Sequence, residues 1–129
     1  MSLRRAVLGL GLAVLLLAGL HAFVALAQQP EEPWLIRLPC RDEAELARLS
    51  DTGARVLLWQ RAQAYALADR QQRARIAALG LAPETLVRGA ARGDYFVVWA
   101  AAAEVSGLTA RYGQLVPLGD GFYLLGLPP

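Results

Sequence analysis

Two arginines and the apolar run behind them constrain this chain more than any other feature. Met1-Ser2-Leu3-Arg4-Arg5 precedes a stretch from Ala6 to Ala27 in which His21 is the one strongly polar side chain, and Gln28-Gln29-Pro30 follows at once. A basic start, an apolar middle and the small-residue triplet Ala25-Leu26-Ala27 make the pattern of an export signal, with Ala25 and Ala27 read at a cut after Ala27. The run 6–27 is 22 residues long, near the roughly 20 that cross a bilayer as a helix, so an uncleaved anchor is the alternative. In both cases Arg4 and Arg5 stay on the cytoplasmic side and the remainder is delivered outward. The expectation is an exported chain, secreted or periplasmic, with membrane contact only through residues 6–27 if they are kept.

Residues 28–129 suit one small domain, and the composition changes once the first 27 residues are set aside. His21, Met1 and two of the thirteen basic residues go with them, leaving eleven Arg against eleven Asp plus Glu. The pI near 9.1 therefore reflects the leader, and no clustered basic face points to nucleic acid. No lysine or asparagine occurs, which removes Schiff-base chemistry and N-glycosylation. An Ala- and Arg-rich chain of this kind suggests a GC-rich bacterial genome.

Gln28 to Pro33 reads as a tether, and Trp34 to Leu38 as a first strand closed by Pro39. Asp42 caps a helix whose Glu45 reaches back, with Leu46 and Leu49 on one face and Gly53 at its end. Arg55 to Trp59 and Tyr65 to Ala68 form strands across a polar turn at Gln60 to Gln63. Asp69 caps a second helix, Arg70 to Leu79, with Ile76 and Leu79 facing inward, and Thr85 to Arg88 is a fourth strand. The order is βαββαβ, the ferredoxin-like arrangement, over 34–89.

Beyond Gly89 to Gly93 the first half of that order returns over 94–127: a strand Tyr95 to Trp99, a helix Ala101 to Tyr112, and strands Gln114 to Leu118 and Phe122 to Leu127 joined at Gly119-Asp120-Gly121. An offset of 59 places Leu46 on Val105, Leu49 on Leu108 and Val56 on Leu115, which points to internal duplication. The expected fold class is thus α+β: a ferredoxin-like βαββαβ unit followed by a second βαββ unit packed on it, with antiparallel sheets carrying helices on one face. Strands Tyr95 to Trp99 and Phe122 to Leu125 are apolar at consecutive positions, as in strands covered on both faces, yet one helix follows. The cover must come from the first sheet, a second copy or a partner. Tyr95, Phe96, Trp99, Phe122 and Leu124 are the candidate protein-contact residues.

Catalytic constellations are missing from residues 28–129. Cys40, Ser50, Ser106 and three threonines have no His or Lys to activate them, so no catalytic residue is assigned. Asp42, Glu43 and Glu45 form the densest acidic group, but capping and the helix dipole account for their spacing. No paired Cys/His set or convergent acids suggest a metal, no glycine spacing suggests a phosphate loop or cofactor, and Cys40 reads as a partly buried thiol. Arg92-Gly93-Asp94 spells an integrin-binding tripeptide, which chance explains. Trp34, Trp59 and Trp99 read as core or interface anchors.

A strand, a helix with Glu45-Leu46-Ala47-Arg48-Leu49, then Gly53, Val56-Leu57-Leu58-Trp59 and a helix ending Ala77-Ala78-Leu79-Gly80-Leu81 resemble the ferredoxin-like prodomains ahead of secreted bacterial zinc peptidases, carboxypeptidase activation peptides among them. Asp94 to Leu127 is similar to the βαββ segment sometimes found between such a prodomain and its enzyme. The resemblance implies a non-catalytic domain that assists folding, inhibits or positions an enzyme, with a secreted hydrolase or other envelope protein as partner. No peptidase sequence follows Pro128-Pro129, so the expectation is docking through a sheet face or edge rather than filling a cleft. The alternatives are a membrane-tethered structural protein that self-associates and, below it, a remnant of a longer peptidase.

Overall fold

Capping residues and positive-φ turns divide the chain at the places where the strand-forming runs stop. The computed structural model describes residues 32–129, which belong to one compact unit, Glu31–Pro129. The export segment with Ala25 and Ala27, the apolar run 6–27 and the tether up to residue 31 lie outside the described residues.

Strand β1 (Trp34–Pro39) leads into helix α1 (Glu43–Asp51). Asp42 accepts the Glu45 amide, while the Glu45 carboxylate accepts the amide of Arg41, one residue earlier than a capping box requires. Strands β2 (Arg55–Gln60) and β3 (Gln63–Ala68) follow. Their turn is tighter than the sequence suggests: only Arg61 and Ala62 lie between the strands, both at positive φ, 51° and 57°. That is the handedness a two-residue hairpin needs to match strand twist. Helix α2 (Arg70–Ala78) starts from a complete capping box, Asp69 with Gln72, and leads to β4 (Glu84–Val87). Leu79, expected on the inner face, is the C-cap residue and is 38% exposed; Ile76 is the buried anchor.

The first sheet has the order β2-β3-β1-β4 with every neighbouring pair antiparallel, the ferredoxin-like arrangement. The second unit comprises β5 (Tyr95–Trp99), α3 (Ala102–Tyr112), β6 (Gln114–Gly119) and β7 (Phe122–Gly126), and forms a separate antiparallel sheet of order β5-β7-β6. Its last hairpin turns on Asp120 and Gly121, also both at positive φ.

Period-2 alternation sends the residues of β1 to two different cores. Ile36 and Leu38 pack with Leu49 of α1 and Ile76 of α2 on the helix side, whereas Leu35 joins Tyr65, Leu67, Val116 and Leu124 on the side shared with the second sheet. Leu35, Ile36, Leu38, Leu49 and Ile76 are at most 1% exposed. Each such burial is worth roughly 1.5–3 kcal/mol, so the sandwich is anchored on β1.

Candidate functional site: an open strand edge

Four strands end the two sheets, and three of them carry devices that discourage further pairing. Strand β2 is bulged between Val56 and Leu58, β4 is four residues long and meets a bulge in its pairing with β1, and β6 combines Pro117 with a bulge. Bulges, prolines and short lengths are the usual protection of an edge. Strand β5 has none of these: Tyr95-Phe96-Val97-Val98-Trp99 contains no charge and no proline, and it pairs with β7 in unbroken register.

Hydrogen bonding shows which way the backbone of β5 faces. Asp94 accepts the Leu127 amide at one end, and Ala100 donates to the Gly121 carbonyl at the other. In an antiparallel ladder the bonded residues alternate, so Asp94, Phe96, Val98 and Ala100 turn their peptide groups toward β7. Tyr95, Val97 and Trp99 therefore present theirs on the open edge. Apolar side chains flank that edge above and below: Phe96 is 50% exposed, Val97 47%, Trp99 64% and Phe122 44%.

The first sheet explains this exposure. Through their partners on β3 and β7, Leu35, Ile36, Arg37 and Leu38 of β1 correspond to Tyr95, Phe96, Val97 and Val98 of β5. β1 has β4 along its outer edge, and α2 helps α1 to cover Ile36. The second unit has a counterpart of α1 in α3, but no described element takes the places of α2 and β4. Helix α3 covers little: none of its residues is buried, and its N-cap, Ala101, has no side chain to satisfy the first turn.

A groove of about 340 Å³ opens between the β2 and β5 edges, lined by Arg55, Val56 and Leu57 on one side and Asp94, Tyr95 and Phe96 on the other. The Arg55 guanidinium closes one end by donating to the carbonyls of Arg92 and Gly93. Away from the groove Arg61 pairs with Asp120 at 2.9 Å, joining the two hairpin turns. The Tyr95 hydroxyl donates to the Ala91 carbonyl and accepts from Gln114, and its ring lies against Gly126, where a Cβ would approach to 2.7 Å. Burial pushes the Tyr95 phenol above its ordinary range, opposed by the Gln114 hydrogen bond.

The five contact candidates from the sequence separate here. Phe96 and Trp99 lie exposed on the edge strand, Phe122 lies exposed beside Trp99 on β7, and Tyr95 is half-buried at the groove. Leu124 is only 2% exposed, packed between the sheets, and so is core rather than contact surface. Val97 belongs to the edge and was overlooked, although an uncharged Tyr-Phe-Val-Val-Trp run is itself the signal.

The other singled-out residues fall elsewhere. Trp34 is half-buried with the Arg73 and Arg88 guanidinium groups 3.7 and 4.8 Å from its ring centre, and Trp59 donates its indole N–H to the Cys40 carbonyl. Cys40 is 1% exposed, and burial, followed by Glu45 and Asp42, raises the pKa of its thiol. A small recess beside it is lined by Leu38, Pro39, Glu45, Arg48, Leu49 and Leu81. Among the described residues no group of three or more His, Cys, Asp or Glu side chains could hold a metal, and no helix is long and apolar enough to cross a membrane. Comparison of the chain with protein-family models, with curated proteins and with solved structures finds no match.

Proposed function

We propose that this chain is a non-catalytic, exported protein-binding module of the prodomain kind, which acts by contact with a secreted hydrolase or another protein of the cell envelope. One observation carries the contact reading: β5 is an unprotected, uncharged edge whose flanking Phe96, Val97 and Trp99 are each about half exposed or more. An edge of this kind is a template for strand addition, in which main-chain bonds give affinity and alternate side chains give specificity. The leader-like residues 1–27 support export, and the βαββαβ order supports the likeness to prodomains. Absence of His and Lys from residues 28–129 supports contact rather than chemistry.

The test is to replace Phe96 with a photoreactive benzoylphenylalanine in the full chain, irradiate it in its native host and identify the adducts by mass spectrometry. The expected result is one dominant adduct, lost when Val97→Pro is added to block the edge. Absence of any adduct, or adducts unaffected by Val97→Pro, overturns the contact reading.

A further inference from the structure

Resting on that reading, in which the β5 edge is the contact surface, we propose that the envelope protein it takes, in place of a hydrolase, is a second copy of this chain, whose β5 adds antiparallel about a two-fold axis at Val97. The backbone supports that axis. The peptide groups of Tyr95, Val97 and Trp99 face outward, as deduced from the bonds at Asp94 and Ala100. Centring the axis on Val97 sets Tyr95 against Trp99 of the second copy, Val97 against Val97 and Trp99 against Tyr95. Every outward N–H and C=O of these residues then meets a partner, as bonded pairs of an antiparallel ladder do. An axis at Phe96 or Val98 would oppose groups that are already committed to β7.

Side chains fit the same register. Phe96 lies opposite Val98 of the second copy, and the strand has no charge to bring against its like. Aromatic residues opposite aromatic or β-branched ones are favourable cross-strand pairs. The first sheet supplies a precedent for direction, because the corresponding edge of β1 receives β4 antiparallel. Taking roughly 150–250 Å² per aromatic side chain, the exposed parts of Phe96, Trp99 and Phe122 with Val97 offer on the order of 350 Å² per copy. A standard interface buries roughly 800 Å² per partner; the new ladder and the groove residues Val56 and Leu57 add to the difference. A closed two-fold pairing also consumes the edge, whereas an edge left open invites unlimited association.

Register-specific cross-linking tests this. Two differently tagged full-length copies, both in a Cys40→Ala background, carry Phe96→Cys and Val98→Cys respectively, are co-expressed and are oxidised with copper phenanthroline. Positions 96 and 98 form a non-bonded pair with Cα atoms about 4.5 Å apart, inside the span of a disulfide, while 96 to 96 and 98 to 98 are out of register. The mixed disulfide dimer is expected to exceed either homodimer at least tenfold. Equal yields of all three species, or none, overturn the pairing. In parallel, the full chain in detergent solution should have the mass of a dimer, and Val97→Pro or Val97→Lys should have that of a monomer with an unchanged circular dichroism spectrum. A monomeric wild-type chain overturns self-pairing. If the photoreactive Phe96 variant then joins one other protein, the contact reading survives without this inference; if it joins none, both fall.

Discussion

The two βαββ units have the same sheet order, β2-β3-β1 and β6-β7-β5, and the same kind of two-residue turn in their last hairpin, yet among the described residues only the first has its β1 edge covered. In the first, α2 and β4 complete the cover of β1, and Ile36 is wholly buried; at the corresponding place in the second, Phe96 is 50% exposed. The sequence of β5 is no more polar than that of β1, and in fact has no counterpart of Arg37, whose guanidinium pairs with Glu84 of β4. An apolar strand is thus made and then left uncovered. Strand formers specify a strand, but only the next αβ segment decides whether its edge is used within the fold.

The largest effect expected from this contrast is on stability. Ile36→Ala should cost about 2–5 kcal/mol as a buried large-to-small change, because both α1 and α2 pack on it. Phe96→Ala at the corresponding position should cost less than about 1.5 kcal/mol, since half of the ring already meets water. Urea unfolding of the two variants, made in a β5-blocked Val97→Lys chain so that association does not contribute, checks the difference. Equal losses would mean that the second sheet is covered after all.

A second contrast lies in the turns. Arg61-Ala62 adopts the left-handed region without glycine, while Asp120-Gly121 has one. Left-handed backbone costs a residue with a Cβ roughly 1–2 kcal/mol, so Ala62→Gly should stabilise the fold by up to about 1 kcal/mol once glycine's greater unfolded-state freedom is counted. Gly121→Ala should do the reverse and more, because its Cβ would come within 2.7 Å of the Trp99 indole. Thermal midpoints of both variants should therefore move in opposite directions. Matching downward shifts would show that Arg61 and Ala62 are not held at positive φ.

Much of this was legible from spacing. Asp42 and Asp69 ahead of apolar-periodic segments placed α1 and α2, and Gly53 marked the end of α1, since the capping chemistry is local. The edge was only half legible. Uncharged Tyr95 to Trp99 pointed to unusual burial, but which neighbours are missing is a property of sheet order, and that depends on long-range pairing. For the same reason Leu124 looked like a contact residue: in a run of consecutive apolar residues, alternation alone does not say which face meets the first sheet. Leu79 failed differently, because the helix ends one residue earlier and the C-cap carries it outward.

The smallest expected effect concerns alkaline pH, and each unit contributes one group to it. Burial raises the Cys40 thiol in the first unit and the Tyr95 phenol in the second. Both are neutral when protonated, so a raised folded-state value means the fold favours the protonated form. The contribution is fully present below the unfolded values, 9.0 for Cys40 and 10.0 for Tyr95, and is lost as pH rises through the raised folded values. Stability should accordingly fall above pH 9, first through Cys40 and then through Tyr95. Cys40→Ala should remove the earlier part of the fall and Tyr95→Phe the later part, the latter at a pH-independent cost of about 1 kcal/mol for its hydrogen bonds to Ala91 and Gln114. Unfolding midpoints across pH 7 to about 11 separate the two. If Tyr95→Phe leaves the alkaline limb unchanged, the phenol is not shielded from water, and the end of β5 nearest Arg55 is more open than its packing against Gly126 implies.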